Sequence, residues 1–356
     1  MKDNLVNINI VGDLFSDSNI DYTSIENVFK TYSSRDIPLI LNLEGSINFH
    51  SSILQTNKAV YLSLDISLLD IISKYNIVVS LANNHSLDFG NQSLKRLLGL
   101  LEERSIDYFG LKEDSDISKI YKFLGHDNYG NQIIIAGSGW SNEQVITNRQ
   151  KGFSCIEFDY ESSKNILEHI RFHYPKSKVI MYAHFGYEYE FWPLPIHVEL
   201  SRKLIEIGYS AIIGSHSHTV QAFEKWQQSP IYYGLGNLFF NSKKIKHSDK
   251  FTYGRLVTFN LERNIFDTES IITKQNILNH SIEMLEDNAN FDCININLSE
   301  YSKAYKYIRI RQRNPRPILY PDKLIYNFLI YNIWKLIVQF LGLINCRSFV
   351  KRLLSW

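Results

Sequence analysis

Apolar residues recur along this chain in short runs, at Val6 to Val11, Pro38 to Leu43, Ile77 to Leu81, Ile133 to Ala136, Lys178 to Tyr182, Ala211 to Ile213 and Ile231 to Tyr233. They are rich in Ile and Val, and the pattern predicts buried strands. Between several of them the spacing lengthens to a helical period, over Ile66 to Tyr75, Gln92 to Arg104, Glu161 to His173 and His197 to Gly208. Strand, helix, strand alternation predicts an α/β fold whose sheet is covered by helices. Arg255 to Leu261 and Ser270 to Thr273 then read as strands without intervening helices, as in a mixed sheet.

Residues 279–300 are polar and weakly patterned, which predicts loops with small elements. A basic, proline-bearing connector follows, Arg309-Ile310-Arg311-Gln312-Arg313-Asn314-Pro315-Arg316-Pro317, and then a long apolar and aromatic stretch to Trp356. The expected organisation is one domain over 1–278, a connector over 279–320 and a helical C-terminal segment over 321–356. No internal repeat or low-complexity tract interrupts this order.

The chain's 356 residues, 44% of them hydrophobic, can bury a full core. Its net charge of +1 hides an asymmetry: from Lys303 onward eleven Lys or Arg face the single acid Asp322, a net of +10, which leaves −9 for the first 302 residues. A basic tail interleaved with aromatic and aliphatic residues suits either a helix in a membrane interface or one docked on the protein's own core or a second subunit. It does not suit a nucleic-acid stripe, which needs a solvated basic face. Its longest uninterrupted apolar run is about half the roughly 20 residues a membrane span requires. Cys155, Cys293 and Cys346 are odd in number and far apart, so neither a disulfide framework nor a zinc knuckle is expected. The N-terminus enters a strand-like stretch at once, without the apolar segment of a signal peptide. The expectation is a cytoplasmic protein, free or peripheral on the inner face of the membrane.

Polar residues gather where the predicted strands end, which is where α/β sheets assemble their sites. Ile8-Asn9-Ile10-Val11 runs into Gly12-Asp13, and Leu39-Ile40-Leu41 into Asn42-Leu43-Glu44. Val78-Val79-Ser80-Leu81 runs into Asn83-Asn84-His85 with Asp88 beyond, Val179-Ile180-Met181-Tyr182 into His184 and Glu188, and Ala211-Ile212-Ile213 into His216-Ser217-His218. Each piece has a plain alternative: Asp13 as a turn residue or cap, Glu44 as a solvated loop residue, His85 as a turn residue, His184 as a core histidine. His216 and His218 are harder to separate from a metal, since both rings can turn to one point and imidazole is the commonest ligand among side chains. The concurrence of five strand exits favours a site. Asp13, Glu44, Asn84, His184, His216 and His218 are the candidate ligands of one or two divalent ions, and mixed O and N donors suit Mn, Fe or Zn. Two ions about 3.5–4 Å apart activate a water and clamp the oxygens of a phosphoryl group. His85 is then placed to protonate a leaving group, and Asp88 and Glu188 to orient imidazoles.

The ordered set of motifs resembles the poly-gamma-glutamate capsule-synthesis (CapA) family, with a calcineurin-like metallophosphatase-type fold. The resemblance spans about residues 5–278 and is completed by Tyr233-Gly234-Leu235-Gly236-Asn237. It implies a two-sheet, four-layer α/β/β/α sandwich, with the same six residues as metal ligands, His85 as the acid and Asn237 near the site. It further implies a capsule or exopolymer biosynthesis protein with a phosphoesterase-like hydrolase site acting on polymer or phosphoester. The alternative is a non-catalytic accessory subunit of a membrane synthase. Two features depart from the pattern. Phe15 stands where metallophosphatases usually carry a histidine, so one metal site is expected to be short of a ligand. The family's frequent N-terminal membrane anchor has no counterpart, and the basic tail is the candidate to replace it.

Overall fold

Along Gln132–Gly139 successive side chains point to opposite faces, as in any strand. Ile133 and Ile135 therefore enter one apolar core, while Ile134 and Ala136 enter another. The same division splits Ile8 and Ile10 from Val11 and Leu14, and Ile180 and Tyr182 from Val179 and Met181. Three cores result, and three cores require four layers.

The computed structural model describes residues 5–18, 20–48, 60–147, 149–242, 252–261, 268–276, 279–286 and 301. Its first part runs β1 (Asn7–Ser16), α1 (Thr23–Tyr32), β2 (Leu39–Leu43), α2 (Ser67–Ile72), β3 (Ile77–Ser80), α3 (Gly90–Glu103) and β4 (Asp107–Phe109). There follow β5 (Lys112–Glu113), β6 (Tyr121–His126), β7 (Gln132–Gly139), β8 (Phe153–Ser154), α4 (Tyr160–His173), β9 (Ser177–His184), α5 (Pro195–Ile207), β10 (Ala211–Ser215), β11 (Phe223–Trp226) and β12 (Ser229–Tyr232). Four strands close the described part, β13 (Asn237–Asn241), β14 (Tyr253–Asn260), β15 (Thr268–Gln275) and β16 (Ile282–Glu286).

One sheet has the order β16-β15-β14-β1-β2-β3-β4, with β13 also pairing to β1, and the other has the order β11-β12-β10-β9-β7-β6. Strands β1 to β4 are mutually parallel, as are β7, β9, β10 and β12. The later strand β14 pairs antiparallel with β1, and β15 and β16 follow it, each antiparallel to its neighbour, which makes the first sheet mixed as expected. Helices α1, α2 and α3 cover the outer face of the first sheet through Ile25, Phe29, Leu69 and Leu97, and α4 and α5 cover the second through Ile166, Ile170, Val198 and Leu204. The inner faces meet through Ile8, Ile10, Ile40, Ile135, Ile180 and Ile213. Each such fully buried aliphatic contributes roughly 1.5–3 kcal/mol.

Local chemistry supports these elements. Asp159 caps α4 by accepting from the Ser162 amide at 2.7 Å. Helix α5 starts at Pro195, whose missing N–H is no loss in a first turn, and stops at Gly208 in a left-handed conformation. The two-sheet α/β sandwich predicted from the sequence is thus present. Helix α2 is shorter than its predicted span, because Ser73 already closes it with bonds to Ile71 and Leu69 carbonyls. Strand β16 continues the sheet past residue 278, and Tyr301 is buried in the core under α5, beside Trp192. The helix expected over 321–356 and most of the connector over 279–320 lie outside the described residues. No helix among the described residues is long and apolar enough to cross a membrane.

Candidate metal centre

Parallel strands β1, β2 and β3 of one sheet and β9 and β10 of the other bring their carboxyl ends to the same region, so their exit residues converge across the sandwich. Asp13, Glu44, His184, His216 and His218 are all buried there, with Asn84 and His85 nearly so. Two sets of donor atoms lie close enough to hold an ion, one from Glu44, His184 and His216 and the other from Asp13, Glu44 and His218; within each set the atoms are no more than 4.8 Å apart. Glu44 belongs to both.

Neighbours fix each group. Asn42 donates to Asp13 Oδ1 at 2.8 Å, and the His216 amide donates to Asp13 Oδ2 at 3.3 Å. His184 Nδ1 lies 3.1 Å from Ser215 Oγ, which turns Nε2 to within 2.9 Å of Asn84 Oδ1. His218 Nδ1 lies 2.8 Å from Asn237 Oδ1 and 3.4 Å from Asp13 Oδ2, and its Nε2 lies 3.7 Å from Glu44 Oε1. Asn237 is brought there by β13, which pairs with β1 so that Asn237 sits opposite Asp13. His85 Nδ1 stands 2.6 Å from Asp88 Oδ2, and its Nε2 points inward, 3.9 Å from Glu44 Oε1. The Leu62 amide in turn donates to Asp88 Oδ2 at 2.8 Å.

The backbone is bent to achieve this. His216 and His218 have φ values of +87° and +52°, a left-handed conformation that costs a non-glycine residue about 1 kcal/mol or more. Two glycines of the motifs are required by close approach: a Cβ on Gly12 would lie 1.8 Å from the Gly236 carbonyl oxygen, and one on Gly214 would lie 2.0 Å from that of Tyr233. The glycines let β1 and β10 touch the Tyr233–Asn237 turn that delivers Asn237.

The donor set fits a divalent ion. Burying carboxylates is costly unless they are paired or hold a metal. Burial pushes the Asp13 carboxyl up, and His218, the Asn42 bond and His216 pull it back. The 2.9 Å between Asn84 Oδ1 and His184 Nε2 equals the roughly 3 Å between two ligand atoms each about 2.0–2.2 Å from one ion.

All six predicted ligands, together with His85, Asp88 and Asn237, are therefore assembled in one place. Glu188 is not: it is exposed, and the imidazole partners are Ser215, Asn84, Asn237 and Asp88. Glu188 bears instead on Tyr189, whose phenol is pushed up first by burial and then by Glu188 and Glu44. Tyr189 itself, at φ +63°, lays its ring 5.8 Å from that of His218. Phe15 points into the core against Phe240 at 5.0 Å, and Phe240 stands 4.8 Å from His218. Asn42, Asn83 and Ser215, to which the sequence pattern assigns no role, also belong to the site. Asn83 links the exits by donating to Asn42 Oδ1 and the Leu43 carbonyl and by accepting from the His85 amide.

Residues 7–242 match the family described as bacterial capsule synthesis protein PGA_cap. The chain belongs to this family. Among its relatives, the PGA biosynthesis protein CapA of Bacillus subtilis (strain 168) is 24% identical over 231 residues, 63% of this chain and 57% of that protein. The capsule biosynthesis protein CapA of Bacillus anthracis is 28% identical over 196 residues, 52% of this chain and 44% of that protein. The chain thus matches about half the length of these relatives. Similar solved structures include a 5'-nucleotidase from Candida albicans SC5314, with a TM-score of 0.45 and 12% identity over 87% of this chain and 58% of that one. Another is the calcineurin-like phosphoesterase YfkN from Bacillus subtilis, with a TM-score of 0.40 and 13% identity over 85% of this chain and 99% of that one. All the site residues named above, Glu188 included, lie inside the family match.

Proposed function

We propose that this chain is a metal-dependent hydrolase of the phosphoesterase type that works in capsule or exopolymer biosynthesis, on a polymer of the poly-gamma-glutamate kind or a phosphoester. The observation that carries the reading is the sharing of Glu44 between two donor sets, with the His85–Asp88 pair facing the shared carboxylate. Glu44, Asn84, His184 and His216 would hold one ion, and Asp13, Glu44 and His218 a second. Mn, Fe or Zn fits such mixed O and N ligands. The chemistry such an ion would supply here is polarisation of a phosphoryl or carbonyl oxygen and a lowered pKa for water.

The protein's own groups do the rest. Asp88 accepts a hydrogen bond from His85 Nδ1–H and stabilises the imidazolium, so that Nε2–H is the group that gives a proton to the departing oxygen or nitrogen and leaves His85 neutral. Ser215 and Asn237 orient His184 and His218. The aromatic side chains of Tyr189 and Phe240 flank His218 and limit water on that side.

Hydrolysis of aryl phosphate esters and of gamma-linked glutamyl peptides by the manganese- or zinc-loaded chain tests this reading. We expect turnover of one class, with His85→Gln lowering kcat about 10²–10⁴-fold at unchanged metal content. A metal-loaded chain that turns over neither class contradicts it. Phe15, in place of a seventh ligand, favours the second reading in that event: a cage that holds an ion for structure or polymer binding within a membrane synthase.

A further inference from the structure

Helix α4 carries a second histidine cluster on the outside of the molecule. His169 and His173 are four residues apart, one helical turn, which places both on one face. Their ring centroids are 4.6 Å apart with planes tilted by 60°. Two imidazoles bound about 2.0–2.1 Å from one ion, at angles between square and tetrahedral, have centroids roughly 4.5–5 Å apart. The rings already stand at that separation.

Aromatic side chains stand beside both rings. His169 lies beside Tyr121, with centroids 5.9 Å apart, and its Nε2 is 3.4 Å from the Tyr121 hydroxyl. Tyr121 is braced edge-on by Tyr174 at 6.3 Å. His173 meets Phe172 edge-on at 5.2 Å. An imidazole that gives its Nε2 proton to an oxygen presents Nδ1 as a lone pair, the usual division of labour at metal-bound histidines. Partial burial, and then the neighbouring His173, lower the pKa of His169 and favour the neutral form that binds metal. The same i, i+4 spacing of two histidines on a helix is a known zinc-binding device.

We propose that His169 and His173 chelate one divalent transition-metal ion on the surface of α4, separate from the buried centre. Two neutral imidazoles with no carboxylate select the later first-row ions, Cu²⁺ most tightly, with Zn²⁺ and Ni²⁺ behind it, and exclude Mg²⁺ and Ca²⁺. Water completes the shell.

Cu²⁺ titration of the untagged full chain, followed by equilibrium dialysis and electron paramagnetic resonance, tests the site. The wild-type chain is expected to bind one more equivalent than His173→Gln, with a signal of two imidazole nitrogens that the variant loses. His173 is exposed at the helix end, so the variant keeps the wild-type Tm without metal. His169→Asn is expected to remove the same equivalent, and that equivalent is expected to survive in His216→Ala. Equal copper stoichiometry in the wild-type chain and either surface variant, or loss of the two-imidazole signal in His216→Ala, overturns the proposal.

Discussion

His184, His216 and His218 are 1%, 0% and 3% exposed, and His197, on α5, is 2% exposed. By burial the four are indistinguishable, yet their surroundings differ in kind. The first three face Asp13, Glu44 and the oxygens of Asn84, Ser215 and Asn237. His197 sits in an aromatic box, 4.5 Å from the ring of Trp140 and 4.8 Å from that of Phe185, with neither ring nitrogen hydrogen-bonded among the described residues. Burial alone makes a histidine neutral; oxygen partners at fixed positions make it a ligand. Burial, followed by the charge of His216, lowers the His197 pKa to about 3.

Glu44→Gln is the largest way to break this contrast. Glu44 serves both donor sets, so losing its charge is expected to abolish binding at both, a loss beyond the roughly 10–100-fold typical of removing a ligand's orienting partner. Metal titration by calorimetry reads it, and retention of one tight ion would show that Glu44 is not shared. Asn237→Ala should cost less. It removes the group that holds His218 Nδ1, and a weakening of about 10–100-fold is expected for one ion. An unchanged affinity would mean that Asn237 is a bystander of the strand pairing.

In His197→Phe, metal content should not change, while the stability profile should. Since the folded-state pKa lies below the ordinary 6.5, the unfolded chain binds a proton that the native chain refuses, and stability falls as pH drops from about 6.5 toward 3. At pH 5 that loss is on the order of 2 kcal/mol. Denaturant unfolding at pH 7 and pH 5 should show a smaller difference in the Phe variant than in the wild-type chain; an equal difference would refute the role given to His197.

The sequence carried the site's charged residues because strand ends and unusual residue types coincide there. Asp13, Glu44, His184 and the His216-Ser217-His218 segment stand out against Ile and Val runs on both sides. Asn42, Asn83 and Ser215 did not stand out, since a neutral amide or hydroxyl has value only once a partner from another strand is beside it. Strand β13 was missed for a related reason. Asn237-Leu238-Phe239-Phe240-Asn241 is short and flanked by asparagines, and it is a strand because Gly12 and Gly236 allow it to close on β1. Helix α1 has no cap from Tyr22 at its N-cap position, takes one bond from Thr23 N–H to Asp21 Oδ1, and rests on Ile25, Val28 and Phe29 packing against the sheet. Glu188 was over-read: its neighbour in sequence, Tyr189, turns inward through a left-handed backbone, and Glu188 is left in solvent.

Whether the buried histidines hold metal is read from metal content per chain in His216→Ala against the wild-type residue. Both chains should carry His173→Ala, so that the surface pair on α4 contributes nothing. The wild-type centre is expected to retain one or two equivalents of Mn, Fe or Zn after gel filtration, and His216→Ala to lose at least one. Equal metal content in the two chains would contradict that expectation.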